Sequence, residues 1–316
     1  RPPSQRRTRG DHDARLIAGH APRVALQDWH PRGERLWLAL AAIALAGCFL
    51  HPMLPWRSAL FEHVVVLDVT QSMNVQDQQL EGASVSRLAL AKHALQASLE
   101  DLPCGSKVGW AIFTEYRSYL LFTPVEVCDN RAELRASLAG IDGRMAWSGN
   151  SEVAKALHSG ITVVKALPGV PSLVFITDGH EAPPLNARHR PKFDDKAGEV
   201  AGLVVGVGDL KPTPIPKTDP MGRPLGFWHA DEVLQVDPRS QGRGASIGAE
   251  KMSEEGSDPA AVGLGATPGS EHLSALRETY LKLLASEQGF GYHRLRDAEA
   301  FSRAWRDKSL ARPVTV

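Results

Sequence analysis

Apolar positions along this chain fall into two rhythms, uninterrupted short runs and stretches in which apolar residues recur three or four apart. Val64–Leu67, Leu173–Ile176 and Val200–Val207 belong to the first kind. Runs this short and this continuous predict strands buried on both faces, as in a parallel sheet. Val85, Leu88, Ala91, Leu95, Leu99 and Leu102 keep the second rhythm, and so do Val153, Ala154, Ala156, Leu157, Ile161 and Val164. Both predict amphipathic helices. A short helix is expected near Arg131–Leu138. Another, marked by Leu273, Leu276, Tyr280, Leu283 and Leu284, should follow Gly269-Ser270. Gly291–Leu295 reads as a last strand and Ala298–Trp305 as a closing helix. Strands alternating with helices predict an α/β fold, a doubly wound and mostly parallel sheet with helices on both faces. Val108–Thr114 and Ser118–Thr123 form a hairpin pattern that turns at Glu115-Tyr116-Arg117 and adds one antiparallel edge strand.

Residues 209–270 break this order. Proline, glycine and charged residues dominate there, so a long insertion is expected rather than another core element. Pro214–Lys217 and Pro224–Trp228 flank Asp219–Arg223, a turn between short edge strands. Gln241–Pro268 has little apolar content and is expected to be mobile. Phe227 and Trp228 suit either a contact surface or a local mini-core.

The first 56 residues read differently. Residues 1–35 carry eight arginines against Asp11, Asp13, Asp28 and Glu34, a net charge of +4 that the remaining chain balances. Leu36–Leu50 is fifteen residues without a charge and, continued to Trp56, approaches the ~20 needed to cross a bilayer. The basic tail would stay cytoplasmic, which gives a single-pass bacterial inner-membrane anchor at 36–56 with the domain at 60–310 in the periplasm. A lipoprotein signal competes, because Leu45-Ala46-Gly47-Cys48 would end in a lipidated Cys48; a buried core helix is the third reading. No basic patch interleaved with aromatics argues for nucleic acid.

Cys104 and Cys128 lie equally far from Tyr116, so a symmetric hairpin would bring them to its open end. A disulfide there would be worth about 3.5 kcal/mol on the chain-entropy relation and would imply an oxidising compartment. Two unrelated free thiols are the alternative.

The chemistry concentrates at strand ends. Asp68 closes the first buried run, and Thr70 and Ser72 follow at alternate positions. Asp178 closes the Leu173 run, while Ser151 stands near a helix start, where a hydroxyl also caps. Ligands of open α/β sheets bind at the carboxyl ends of strands. An all-oxygen donor set suits a hard divalent cation such as Mg²⁺, Ca²⁺ or Mn²⁺. Trp147, Asn150, His180 and Glu181 neighbour these residues in sequence and form a candidate rim for a partner site, with His180 expected to be solvated.

Asp68, Thr70, Ser72, Ser151 and Asp178 together resemble the metal-ion-dependent adhesion site of von Willebrand factor type A domains. Thr70 and Ser151 exchange one hydroxyl residue for the other relative to the usual pattern. The resemblance implies hydroxyls that ligate directly, carboxylates that act largely through water, and one coordination position left open for an acidic residue of a protein partner. Leu102–Ser106, Glu126–Cys128, Asp178–Pro184 and Pro214–Trp228 further resemble periplasmic type A domain proteins encoded with methanol dehydrogenase. This implies a role in the assembly or maturation of an exported enzyme. The alternative is a magnesium-dependent phosphotransferase or hydrolase with Asp68 as nucleophile. Haloacid-dehalogenase-like enzymes place a second Asp where this chain has Thr70, and no phosphate-binding loop or nucleophile elbow is present.

Overall fold

The computed structural model describes residues 31–49, 57–185, 190–235, 251–252 and 270–315. The chain divides into two compact units, Arg1–Pro55 and Trp56–Val316. In the first, α1 (Pro31–Phe49) exposes Leu36, Trp37, Leu38, Ile43 and Leu45, and Cys48 lies near its end. Among the described residues no helix is long and apolar enough to cross a membrane. The 36–56 segment runs on past Phe49 beyond the described residues, as do most of the basic tail and nearly all of Gln241–Pro268.

The second unit is built on one mixed sheet. Its elements in chain order are β1 (Arg57–Asp68), α2 (Arg87–Glu100), β2 (Lys107–Thr114), β3 (Arg117–Leu120), β4 (Val125–Glu126), α3 (Arg131–Gly140), α4 (Val153–Lys165), β5 (Ser172–Thr177), β6 (Gly202–Gly206), α5 (Glu278–Gln288), β7 (Gly291–Arg294), α6 (Ala298–Trp305) and β8 (Ala311–Thr315). The strands lie in the order β7-β6-β5-β1-β2-β3. All neighbours in that order pair in parallel except β3, which folds back on β2 as the expected antiparallel edge.

Alternate residues of each strand supply opposite faces, because strand side chains have a period of two. Val65 and Leu67 pack with α2, α3 and α6, whose Leu95, Leu134 and Trp305 are buried. Val64 and Val66 pack with α4 and α5 through Leu157, Ile161 and Leu284. Burial on both sides explains why these strands read as continuous apolar runs. Ser86 caps α2 by accepting from the Ala89 amide at 3.1 Å, and Asp297 caps α6 through the Ala300 amide at 2.7 Å.

Three details depart from the sequence reading. The chain does not end in a closing helix: β8 follows α6 and pairs antiparallel with the start of β1, from Arg57 opposite Thr315 to Phe61 opposite Ala311. The helix expected from Leu273 begins only at Glu278. Leu273–Ser274 instead forms a two-residue strand against Thr213–Pro214. The Leu276 amide donates to the Asp209 carbonyl at 2.8 Å and the Arg277 amide to that of Asp178 at 2.9 Å. Those bonds hold the segment extended. The hairpin is also less symmetric than its spacing suggests. Leu121 and Phe122 both donate to the Trp110 carbonyl, and the strand resumes as β4 opposite Lys107 and Val108. That second pairing brings Cys104 and Cys128 to a Cα separation of 5.3 Å, and they are disulfide-bonded.

His63 is a titratable side chain inside the sheet. It is fully buried, its Nδ1 lies 2.5 Å from Ser172 Oγ, and its ring packs 4.7 Å from that of Trp305. Burial holds the imidazole down at about 3. Two outcomes are expected. Replacing Cys104 and Cys128 together by Ser should lower stability by about 3.5 kcal/mol, read from urea denaturation with and without reductant. The unfolded His63 takes up its proton near pH 6.5 and the folded one only near pH 3. Its stabilising contribution is therefore complete above pH 6.5 and lost as pH falls toward 3, with a slope of up to ~1.4 kcal/mol per pH unit. His63→Phe should flatten that slope in denaturation curves across this range.

Candidate metal centre

β1 and β5 are adjacent and parallel, so their carboxyl ends bring Asp68 and the Thr177-Asp178 pair to one edge of the sheet. Both carboxylates are completely buried. Asp68 Oδ1 accepts from the Thr70 amide at 2.9 Å and from Thr70 Oγ1 at 2.7 Å. Its Oδ2 accepts from Thr177 Oγ1 at 2.6 Å. Thr70 Oγ1 in turn lies 3.3 Å from Ser72 Oγ. The hydroxyls spaced two apart after β1 thus fold back over the carboxylate, with Gln71–Asn74 wound into a single 3-10 turn.

Ser151 arrives from the other side of the sheet edge. Its backbone bridges Glu115 and Ala182: the Ser151 amide donates to the Ala182 carbonyl at 2.6 Å, and the Glu152 amide donates to that of Glu115 at 2.6 Å. This placement overrides the expected capping role. Glu152 occupies the cap position of α4, and Ser151 Oγ, although buried, has no hydrogen-bond partner among the described residues. An orphaned buried hydroxyl is costly unless something coordinates it. Thr70, Ser72 and Ser151 all line one pocket of about 210 Å³, with Asp68 and Asp178 behind them.

The sequence reading overlooked the group that holds Asp178. Arg87, at the first position of α2, is fully buried. Its guanidinium donates to Asp178 Oδ2 at 2.5 Å, to Ser274 Oγ at 2.6 Å and to Asp77 Oδ2 at 2.6 Å. Asp178 Oδ1 accepts from the His180 amide at 2.9 Å, and Ser274 Oγ donates to Asp178 Oδ2 at 3.1 Å. Burial lowers the Arg87 pKa, but Asp178 and Asp77 outweigh it and hold the guanidinium charged. Gly208 makes the close approach possible: a Cβ there would lie 2.9 Å from Arg87 Nε. One sequence signal existed. Arg87 sits four residues before Ala91 on the buried stripe of α2, and a charge on such a stripe demands a partner.

The electrostatics favour a divalent ion. Arg87 pairs with Asp77 and Asp178, whereas Asp68 accepts hydrogen bonds from Thr70 and Thr177. Burial, and after it the Asp178 carboxylate, push the Asp68 carboxyl up to about 7 against the bonds from Thr177 and Thr70. Oxygen donors, two buried carboxylates and a buried hydroxyl with no partner among the described residues together fit a hard divalent cation.

The candidate rim divides. Asn150, His180 and Glu181 line the pocket, but Trp147 does not; its exposed ring packs edge-on to Tyr119 at 4.8 Å. His180 is not solvated as expected. It is 3% exposed, Nδ1 has no partner among the described residues, and burial holds its pKa down at about 4. Glu181 accepts from Tyr280 Oη at 2.5 Å and from the Ala154 amide at 3.2 Å.

Residues 63–180 match the family model described as the von Willebrand factor type A domain. Among solved structures, an aerotolerance-related membrane protein from Bacteroides fragilis shares 17% identity at a TM-score of 0.49, over 79% of this chain and 98% of its own. The protein BatB from Bacteroides thetaiotaomicron shares 17% at 0.48, over 78% and 96%. A von Willebrand factor type A protein from Catenulispora acidiphila shares 11% at 0.41, over 80% of this chain and 42% of its own. No curated protein matches the sequence.

Arg87→Met is expected to leave Asp178 buried without its counter-charge and to destabilise the fold by about 3–5 kcal/mol. Chemical denaturation at neutral pH measures this. A loss below 1 kcal/mol would show that the guanidinium does not compensate the carboxylate.

Proposed function

We propose that this chain is a metal-dependent protein-binding module. The observation that carries the proposal is the convergence of Thr70, Ser72 and Ser151 on one pocket beside Asp68 and Asp178, with Ser151 Oγ having no partner among the described residues. These five residues would hold Mg²⁺, Ca²⁺ or Mn²⁺. With both buried carboxylates already engaged by Thr70, Thr177, Arg87 and Ser274, the ion would keep net positive charge and attract a carboxylate from a partner protein.

The same reading places the domain outside the cytoplasm, anchored through residues 36–56. The Cys104–Cys128 disulfide supports an oxidising compartment. The partner we propose is an exported oxidoreductase of the methanol dehydrogenase kind, which the module helps to assemble or mature. The local sequence features named above support this, and co-purification of such an enzyme from a native membrane extract tests it.

Catalysis by Asp68 is the weaker reading. An aspartyl nucleophile must reach a phosphorus atom, whereas Asp68 is 0% exposed and both its oxygens accept hydrogen bonds. We therefore assign no enzymatic role.

Calorimetric titration of the three cations into the full chain tests the metal reading. Ser151→Ala breaks no side-chain hydrogen bond, so it should keep the fold while weakening the ion by about tenfold. Cation at 100 times its dissociation constant should add ~2.7 kcal/mol to the stability of the parent chain. Absence of heat and of stabilisation with all three cations would remove the metal from the proposal.

A further inference from the structure

The insertion after β6 does more than interrupt the fold. Pro216–Thr218 pairs antiparallel with Pro224–Phe227, and the hairpin turns on the Gly222 amide, which donates to the Asp219 carbonyl at 2.9 Å. The chain then returns across the metal site. Trp228 Nε1 donates to Gln71 Oε1, a residue between the two metal-loop hydroxyls Thr70 and Ser72. The ammonium of Lys217 lies 4.5 Å from the centre of the indole ring. The indole is thereby fixed on one side of the pocket. Ile215, Trp228, Val233 and Leu234 supply an apolar part of the lining of the same pocket as the hydroxyls of Thr70, Ser72 and Ser151.

A pocket with an oxygen floor and an apolar wall asks for a ligand of two chemistries. At about 210 Å³ it is smaller than the ~300–1,000 Å³ of small-molecule sites, and suits one or two side chains of a polypeptide. The acids beside it have partners. Glu232 pairs with Lys217 Nζ at 2.5 Å, and Glu181 takes the Tyr280 hydroxyl. Glu232 and Glu181 therefore compete little for an incoming chain, and the third acid of the lining, Glu271, is buried.

We infer that the insertion makes this pocket selective for a protein segment in which an acidic residue stands directly beside a bulky apolar one. The carboxylate goes to the hydroxyl floor and the apolar side chain lies against Trp228 and Leu234. This rests on the metal-dependent binding proposed above and adds the identity of the neighbouring residue, which the metal loop alone does not read.

The test uses the full chain and fluorescein-labelled hexapeptides with Asp-Leu, Asp-Ser or Ala-Leu at their centre, followed by anisotropy with Mg²⁺ or with EDTA. With Mg²⁺, the Asp-Leu peptide should bind about tenfold tighter than the Asp-Ser peptide, since burying a leucine side chain is worth that much. The Ala-Leu peptide should bind no better with Mg²⁺ than with EDTA. Trp228→Ala should bring Asp-Leu and Asp-Ser within about twofold of each other, and Leu234→Ser should narrow the ratio in the same direction. Equal affinities for Asp-Leu and Asp-Ser in the parent chain would overturn the inference while leaving metal-dependent binding intact. So would a preference that survives both substitutions, or metal binding without any peptide binding. Failure of every cation to bind in the parallel titration would instead strike the metal reading itself.

Discussion

A buried guanidinium holds the functional edge of this protein together. Arg87 reaches from the first turn of α2 to Asp77 in the preceding loop, to Asp178 after β5 and to Ser274 at the far root of the insertion. Asp77 also accepts from the Asp209 amide at 3.0 Å, at the near root of the insertion. Arg87 and Asp77 together thus tie the loop after β1 to both ends of the insertion. Its partners are obligatory. An isolated charge in the interior is prohibitively costly, and the guanidinium is tolerated because carboxylates and oxygens occupy its donors on several sides.

That network explains how the site is both rigid and electrically unfinished. Asp178 is positioned by Arg87 and Ser274 on one oxygen and by the His180 amide on the other. Asp68 is positioned by the Thr70 amide and by the hydroxyls of Thr70 and Thr177, and its carboxyl is left in a setting that penalises its charge. The Ser151 hydroxyl, buried and without a partner among the described residues, points to the same deficit. A divalent cation is the species whose charge and hardness would meet both needs.

The parallel order of β1 and β5 places the carboxylates, but the pocket mouth belongs to the insertion. The hairpin of Pro216–Thr218 and Pro224–Phe227 carries Trp228 onto Gln71, so an appendage of the domain contributes one wall of its site. Division of labour follows. The sheet edge supplies the charge and oxygen chemistry, and the insertion supplies the shape.

Short-range patterns determined much of this protein. The continuous apolar runs of β1 and β5 mark strands covered on both faces, because neither face along those runs meets water. The alternation of Asp68, Thr70 and Ser72 places their side chains together, since only one residue separates each from the next. Tertiary structure decided the rest. Arg87 and Asp178 are 91 residues apart and Arg87 and Ser274 are 187 apart, so no local pattern joins them. Leu273 carries an apolar side chain suited to a helix, yet its neighbours' amides are taken by Asp209 and Asp178 and the backbone stays extended. His180 looks like a loop residue at a polar rim, and burial follows only from what packs around it. Spacing along the chain sets which face a side chain occupies; which distant group meets it is set by the order of strands in the sheet, and that order is a property of the whole fold.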